Sequence, residues 1–252
     1  MKDMEIKKKI TVIGGPCSLE SPELVESFLK RFPDQKIIRG GIFKMRTNKN
    51  SYQGPGVYGI NFMREIILKH DLRLTTEISD PRQLDVLNDI TSIYQVGTRN
   101  MYNYELLKEL SKTGKTVILK RAMSATIDEW LHAADYLEEL GQDKIILCER
   151  GIRGIDNKFR NHLDLSSVMY LKMNTRFRVF VDPSHAMGLR EYVEVASMAA
   201  ITSGCDGLLI ETHKTPSLAL SDSRQAIDYD QYEQLLNNIK RLASFLEAEV
   251  ET

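Results

Sequence analysis

The sequence predicts a single closed (β/α)8 barrel, a TIM barrel, over residues 1–252, and two observations support this fold class. Eight short apolar segments alternate with eight longer amphipathic segments along the chain, which is the pattern of parallel strands that helices bury on both faces. No Gly/Ser-rich linker or break in composition divides the 252 residues. Eight such units in about 250 residues favour closure into one barrel over an open sheet.

The predicted strands are short and rich in β-branched residues. They cover residues 10–14, 36–39, 73–76, 93–96, 116–120, 144–148, 178–181 and 207–210. The predicted helices have apolar residues at helical spacing. They cover residues 22–31, 59–69, 81–88, 104–112, 127–140, 165–173, 191–202 and 229–246. Capping signals at Ser21, Asp80 and Thr126 mark three helix starts. The longest loops, residues 43–56 and 151–164, follow strands two and six, on the face where barrels carry their active sites.

The composition excludes several classes of protein. The formal net charge of -1 argues against a general attraction to nucleic acid or to anionic membranes. No apolar run reaches the roughly 20 residues that a membrane-spanning helix needs. The start of the chain is charged and lacks an apolar signal segment, and the three cysteines are odd in number and widely spaced. We therefore expect a cytoplasmic protein without a disulfide framework.

Polar side chains collect at or just after the carboxyl ends of the predicted strands. They are Cys17, Arg39, Lys44, Arg46, Thr47, Glu77, Arg99, Asn100, Lys120, Arg121, Glu149, Arg150, Arg153, Asp182, His185, Glu211 and His213. Parallel strands deliver these ends to one mouth of a barrel, so side chains distant in sequence are expected to converge there. So many basic groups at one rim of a near-neutral protein indicate a focused anion site, because Arg and Lys bind phosphate and carboxylate oxygens. Any one of these cations could instead be a solvated surface residue.

A second set of residues could hold a divalent ion. It consists of Cys17, His185, Glu211 and Asp222, which offer one thiolate, one imidazole and two carboxylates. This mixture of soft and hard ligands fits manganese, iron, cobalt or zinc, whereas the thiolate disfavours magnesium. Each residue alone also has an ordinary structural explanation, such as a buried thiol or a turn carboxylate, and the four form no local motif.

At these residues the sequence closely resembles the short, barrel-only class of 3-deoxy-D-arabino-heptulosonate 7-phosphate (DAHP) synthases, which catalyse the first step of the shikimate pathway. The resemblance covers nearly the whole chain. It rests on ordered blocks at residues 14–20 (GGPCSLE), 39–47 (RGGIFKMRT), 51–54 (SYQG), 97–100 (GTRN), 119–123 (LKRAM), 148–153 (CERGIR), 182–185 (DPSH) and 220–222 (LSD). Members of this family join phosphoenolpyruvate to erythrose 4-phosphate and release inorganic phosphate.

The resemblance implies a role for each matching residue. Cys17, His185, Glu211 and Asp222 would hold a divalent metal ion, with manganese favoured. Arg39, Lys44, Arg99, Lys120 and Arg150 would bind the phosphate and the carboxylate of phosphoenolpyruvate. Arg46 and Thr47 would receive the phosphate of erythrose 4-phosphate, with Asp182 near its hydroxyls.

The chemistry requires catalytic groups as well. A bound cation can polarise the aldehyde as a Lewis acid, and Lys120 is a candidate acid for the aldehyde oxygen. Water must then capture the electrophilic C2 carbon, so a carboxylate has to accept a proton. Glu77 and Glu149 are the candidates for this step.

Three departures from the family pattern affect loop geometry and substrate affinity more than reaction type. Ile42 replaces a small residue, Met45 replaces a proline, and Lys214 follows His213 where the family usually has His-Pro. The family suggests a homodimer or homotetramer. No appended regulatory domain is expected, so aromatic amino acids are not expected to inhibit the protein through one.

Two other functions remain as alternatives. One is 3-deoxy-manno-octulosonate 8-phosphate synthase, which uses arabinose 5-phosphate and has a different, Asn-containing block where this chain has residues 44–47. The other is an inactive barrel that serves as a binding or regulatory subunit.

Overall fold

The computed structural model describes residues 9–252, which form a closed barrel of eight parallel strands surrounded by helices, as predicted. The strands are β1 (Lys9–Gly15), β2 (Ile37–Arg39), β3 (Arg73–Ile78), β4 (Ile93–Val96), β5 (Thr116–Lys120), β6 (Ile145–Glu149), β7 (Arg178–Val181) and β8 (Gly207–Glu211). Each lies within one or two residues of its predicted bounds. The charged start of the chain, residues 1–8, lies outside the described residues, so the expectation of no secretion signal stays a prediction.

The barrel closes where β1 pairs with both β8 and β2. Residues 11–15 of β1 pair with residues 207–211 of β8, and Gly14 pairs with Ile38 of β2. The other neighbours are consecutive along the chain, from β2–β3 to β7–β8, and all of these pairings are parallel. The carboxyl ends of the eight strands therefore meet at one mouth.

Helices cover the outside of the barrel. They are α1 (Pro22–Arg31), α2 (Val57–His70), α3 (Leu84–Leu87), α4 (Tyr104–Ser111), α5 (Ile127–Asp135), α6 (Leu165–Asn174), α7 (Pro183–Met187), α8 (Val193–Thr202) and α9 (Tyr229–Phe245). The predicted caps form, since the Ser21 side chain accepts from the Leu24 amide, and Thr126 and Glu129 make a reciprocal capping box.

Two helix predictions were too long, and one helix was missed. The predicted helix over residues 81–88 is a 3₁₀ turn followed by the one-turn helix α3, and the helix predicted over residues 127–140 ends at Asp135. The five-residue helix α7 was not predicted, because so short a segment shows no helical period. Its position matters, since it carries His185 at the mouth of the barrel.

A ninth strand, β9 (Glu249–Glu251), pairs with residues 9–11 of β1 at the amino-terminal end of the barrel. On the other side of β9, the backbone amide of Lys36 donates a hydrogen bond to the Thr252 carbonyl. The chain end therefore fills the gap between β1 and β2 below their contact at Gly14. This strand was not predicted, because three residues that include two glutamates carry no strand pattern.

The core has two apolar clusters. A large one, with Trp130, Phe28 and Met63 buried in it, fills the space between barrel and helices. The second lies inside the barrel and consists of Ile13, Ile37, Ile93, Ile118, Ile146, Cys148, Phe180 and Leu209. This interior cluster shows which alternate side chains of each strand point toward the barrel axis. Among the described residues, no helix is long and apolar enough to cross a membrane.

Candidate active site

The apolar interior of the barrel continues into a polar layer at the carboxyl mouth. Six buried residues each stand two positions after an interior residue of a different strand. They are Arg39, Gln95, Lys120, Arg150, Asp182 and Glu211. Because strand side chains alternate with a period of two, these side chains point inward as well. The barrel therefore brings residues from six strands to one place.

Cys17, His185, Glu211 and Asp222 lie together at this mouth, with one ligand atom from each within 4.8 Å of the others. Cys17 Sγ is 3.0 Å from Asp222 Oδ2. His185 Nε2 is 3.4 Å from Glu211 Oε1 and 4.0 Å from Asp222 Oδ2. Ligand atoms about 2.0–2.3 Å from a common ion lie about 3.3–3.8 Å apart in a tetrahedron, so the cluster is close to the geometry that a divalent ion requires.

Asp182 orients His185 for metal binding. Its Oδ1 accepts from the His185 amide at 2.9 Å, and its Oδ2 lies 2.8 Å from His185 Nδ1. Lys120 Nζ donates to the same Oδ2 at 2.5 Å. A carboxylate that binds Nδ1–H leaves Nε2 free as a ligand, which is the usual arrangement around a metal-binding histidine.

The electrostatics of the cluster favour a bound cation. Burial raises the pKa of the Cys17 thiol, and the neighbouring Glu211 carboxylate raises it further, so the thiolate requires a compensating positive charge. Burial lowers the pKa of His185, which favours the neutral imidazole that can coordinate a metal. Burial alone would raise the pKa of Glu211, but His185 and Arg39 outweigh it and lower that pKa. A divalent ion would supply the positive charge that stabilises the Cys17 thiolate.

Arg39 lies beneath the cluster and carries an unsatisfied donor. Its Nη1 is 2.8 Å from Glu211 Oε1, and both side chains are buried. Among residues 9–252, Arg39 Nε has no hydrogen-bond partner, and neither has Thr98 Oγ1 at the cavity wall. Buried polar atoms are nearly always satisfied in proteins. These two atoms therefore indicate a place for a bound ligand or water.

A cavity of about 190 Å³ opens above this layer. Within the described part of the chain, its lining contains six basic side chains, Lys44, Arg46, Arg99, Lys120, Arg150 and Arg160. Glu77 and Asp222 are the carboxylates of the lining, and Thr47 also borders the cavity. The excess of positive charge favours anionic ligands. Of the predicted substrate-binding residues, Arg39 and Asp182 lie below this lining instead of in it.

Of the three departures from the family pattern, Met45 lines the cavity. Its carbonyl accepts a hydrogen bond from Arg99 Nη1 at 2.8 Å, so the loop contacts a cation of the cavity. Ile42 is buried in the core between the barrel and the helices, and Lys214 is exposed.

The two carboxylates considered for proton transfer lie in different places. Glu77 points inward from β3 and lines the cavity, with its Oε2 3.3 Å from Lys44 Nζ. Glu149 comes one position after the interior residue Cys148 and so points outward, toward the helices. Its carboxylate contacts Arg121, the Gly151 amide and Ser167. The expectation that Glu149 accepts a proton in the cavity does not fit this position, whereas Glu77 remains a candidate.

Several residues around the cavity were not predicted from the sequence. They are Ser51, Gln95, Thr98, Met123 and Arg160 in the lining, and Gln225 behind it. Gln95 had a usable signal, because it stands two positions after the interior residue Ile93. Arg160 had none, since it comes from the middle of the long loop after β6 and no strand period places it.

Comparison with known proteins identifies the family. Residues 6–248 match the model of the DAHP synthetase I family. A phospho-2-dehydro-3-deoxyheptonate aldolase of Thermotoga maritima is 38% identical over 243 residues, which cover 95% of this chain and 72% of that protein. A 2-dehydro-3-deoxyphosphooctonate aldolase of Desulfotalea psychrophila is 29% identical over 259 residues, which cover 94% of this chain and 91% of that protein.

Solved structures give the same result. The crystal structure of the Thermotoga maritima phospho-2-dehydro-3-deoxyheptonate aldolase (DAHP synthase) matches with a TM-score of 0.91 and 37% identity, over 96% of this chain and 72% of that one. A truncated form of 3-deoxy-D-arabino-heptulosonate 7-phosphate synthase from the same organism matches with a TM-score of 0.87 and 35% identity, over 96% of this chain and 90% of that one. Family model, relatives and barrel agree with the resemblance seen in the sequence blocks, and the chain belongs to the DAHP synthetase I family.

Proposed function

We propose that this protein is a DAHP synthase, which condenses phosphoenolpyruvate, erythrose 4-phosphate and water into DAHP and inorganic phosphate. One observation carries the proposal. Two members of the four-donor cluster, His185 and Asp222, line the same cavity as six basic side chains, so an aldehyde and an enol phosphate can meet between them. The 38% identity to a DAHP synthase over 95% of the chain supports the same reaction.

Phosphoenolpyruvate is held in this proposal by Arg39, Lys44, Arg99, Lys120 and Arg150. Four of these cations line the cavity, and Arg39 contributes the unsatisfied Nε below it. Guanidinium and ammonium groups bind the phosphate and carboxylate oxygens through charge-assisted hydrogen bonds. Holding both anionic ends fixes the C3 carbon, and such positioning contributes several kcal/mol toward the barrier of a bimolecular reaction.

Erythrose 4-phosphate binds with its phosphate at Arg46 and Thr47, on the wall formed by the loop after β2. Its aldehyde then points toward the four-donor cluster. A divalent ion held there, with manganese favoured over iron, cobalt and zinc, would polarise the aldehyde oxygen as a Lewis acid. For Asp182 we propose a positioning role toward His185 and Lys120, because both of its oxygens are engaged and the side chain is buried.

Two side chains transfer protons in this reaction. C3 of phosphoenolpyruvate forms a bond to the aldehyde carbon, and Lys120 Nζ, which lines the cavity, donates a proton to the resulting alkoxide. Water then adds to the electron-poor C2, and Glu77 accepts the proton that this water loses. The C2–O bond to phosphate then breaks as the proton of the new C2 hydroxyl passes to the leaving phosphate, so a ketone forms at C2 and inorganic phosphate leaves as hydrogen phosphate.

The competing activity is that of a 3-deoxy-manno-octulosonate 8-phosphate synthase, and the choice of aldose distinguishes the two. Two 2-dehydro-3-deoxyphosphooctonate aldolases are 29% and 26% identical to this chain, against 38% for the Thermotoga maritima phospho-2-dehydro-3-deoxyheptonate aldolase. Residues 44–47 (KMRT) also favour the four-carbon acceptor. We expect the purified protein with Mn²⁺ to release phosphate from phosphoenolpyruvate with erythrose 4-phosphate and not with arabinose 5-phosphate. The reverse preference would reassign the protein, and no turnover with either aldose and several metals would favour an inactive barrel.

Other features stay predictions. They are the single-domain organisation of residues 1–252 without an appended regulatory domain, the association into a homodimer or homotetramer, and the cytoplasmic location.

A further inference from the structure

We infer that Arg160 is a positioning residue for the metal-binding carboxylates, because it contacts Asp222 directly and Glu211 through Gln225. The inference deepens the proposed function and rests on it only in taking Cys17, His185, Glu211 and Asp222 as a metal site.

The guanidinium of Arg160 reaches the outer side of the cluster from the loop after β6. Its Nη1 is 3.2 Å from Asp222 Oδ1 and 2.8 Å from Gln225 Oε1. The other oxygen of Asp222, Oδ2, faces Cys17 Sγ at 3.0 Å. Arg160 therefore engages the carboxylate oxygen that is turned away from Cys17 and leaves the inner oxygen for an ion.

Gln225 extends this arrangement to the second carboxylate. Its Nε2 donates to Glu211 Oε2 at 2.5 Å, while Glu211 Oε1 faces His185 Nε2 at 3.4 Å. The amide oxygen of Gln225 is occupied by Arg160, which turns the amide NH₂ toward Glu211. One guanidinium thus contacts Asp222 directly and Glu211 through Gln225, each at its outer oxygen, while Arg39 engages the inner oxygen of Glu211.

The backbone around these residues explains why outer support is needed. Asp222 has a φ of 54°, in the left-handed region that is unfavourable for a non-glycine residue. Such a conformation persists only where its surroundings fix it. The contact from Arg160 is one of the interactions that can hold this carboxylate in place.

Arg160 is itself fixed against the helix that carries His185. Its amide donates to the Met187 carbonyl at 3.2 Å. Its stem packs on Gly188, the residue that ends α7, where an added Cβ would lie 2.5 Å from Arg160 Cβ. The same residue therefore links the loop of Asp222 to the helix of His185, and it can hold three ligands in register.

Direct binding of a substrate is the competing role, because Arg160 also lines the cavity. The two roles differ in what they affect. A positioning residue changes the affinity for the metal in the absence of substrate, whereas a substrate ligand changes the KM of one substrate and leaves metal affinity alone.

The test measures Mn²⁺ binding to metal-free protein from the electron paramagnetic resonance signal of free Mn²⁺, without substrates. The variants are Arg160→Met, Arg160→Lys and Gln225→Leu. The matched control is Arg224→Met, because Arg224 is an exposed arginine on the neighbouring cavity that Arg160 also lines. Circular dichroism and the Tm of the metal-free variants check the fold.

We expect Arg160→Met and Gln225→Leu to weaken Mn²⁺ binding by about 10- to 100-fold, the usual effect of removing an outer contact of a metal ligand. Arg160→Lys should fall between them and the wild type, since an ammonium keeps the positive charge but not the planar donor geometry of the guanidinium. Arg224→Met should bind as the wild type does. At saturating Mn²⁺ the kcat of Arg160→Met should recover toward the wild-type value.

Wild-type Mn²⁺ affinity in Arg160→Met, with a raised KM for either substrate, would overturn the inference. An equal loss of affinity in Arg224→Met would overturn it too, since the effect would then come from charge alone. If Arg160→Met does not fold, Arg160→Lys and Gln225→Leu decide the question by the same titration. A wild-type protein that binds Mn²⁺ but forms no DAHP would refute the proposed function. The Mn²⁺ titration would still test the role of Arg160, because it uses no substrate.

Discussion

Nδ1 of His185 lies 2.8 Å from Oδ2 of Asp182, while Nε2 on the other side of the ring faces Glu211. Asp182 directly follows β7 and is the N-cap residue of α7, and His185 lies three residues later in that helix. The strand end and the short helix therefore place a carboxylate behind the imidazole. This contact selects the tautomer that a metal ligand requires.

Asp182→Asn should weaken Mn²⁺ binding by about 10- to 100-fold, because a neutral amide no longer favours Nδ1–H and leaves Lys120 without its buried counter-charge. Titration of the metal-free protein with Mn²⁺ measures the change. The control is Asp230→Asn, an exposed aspartate of α9 that pairs only at the surface with Arg31. Wild-type affinity in Asp182→Asn would show that the histidine needs no such support.

Glu77→Gln should reduce activity without loss of stability, whereas Glu149→Gln should reduce stability. Glu77 lines the cavity, so its amide variant should keep its Tm and lose turnover by about 10²- to 10⁴-fold, the range for a missing general base. Glu149 is a buried partner of Arg121 behind the barrel, so Glu149→Gln should lower the free energy of unfolding by about 1–3 kcal/mol. Steady-state kinetics and urea unfolding of both variants measure this. A stable but inactive Glu149→Gln protein would reverse the assignment.

The pairing of β9 with β1 should depend on pH through Glu251. Burial alone would raise the pKa of Glu251, but hydrogen bonds from Lys9 and Thr11 outweigh it and lower that pKa. A lowered carboxylate pKa stabilises the fold above the pKa of the unfolded state, and this stabilisation is lost as pH falls through the folded-state pKa.

Glu251→Gln should therefore reduce the free energy of unfolding near neutral pH, by at most about 1 kcal/mol for a partly exposed pair. The difference from the wild type should shrink below about pH 4, where the carboxylate of the wild type becomes protonated. Urea unfolding of both proteins across this range measures it. A difference that stays constant with pH would contradict the assignment.

Most of the barrel was predictable because buried parallel strands and amphipathic helices leave distinct periods in the sequence. β9 and α7 were not predictable, because segments of three and five residues are too short to show a period. Only tertiary contacts with β1 and with the barrel mouth define them.

The strand ends predicted which residues meet at the barrel mouth. They did not predict which side chains point inward, because that depends on which residues of each strand face the barrel axis. Counting in steps of two from the interior residues places Arg39 and Lys120 inward and Glu149 outward. Arg160 and Gln225 lie on irregular loops, where no periodic rule applies. Their contacts with Asp222 and Glu211 emerge only once the chain is folded.

We propose that DAHP formation at this mouth requires a divalent ion held through Cys17. The most direct measurement is the rate of DAHP formation from phosphoenolpyruvate and erythrose 4-phosphate before chelation, after chelation, and after Mn²⁺ is added back, for the wild type and Cys17→Ala. We predict that chelation abolishes the wild-type rate, that Mn²⁺ restores it, and that the same Mn²⁺ concentration does not activate Cys17→Ala. DAHP formation that survives both chelation and the loss of the thiol would show that the reaction needs no such ion.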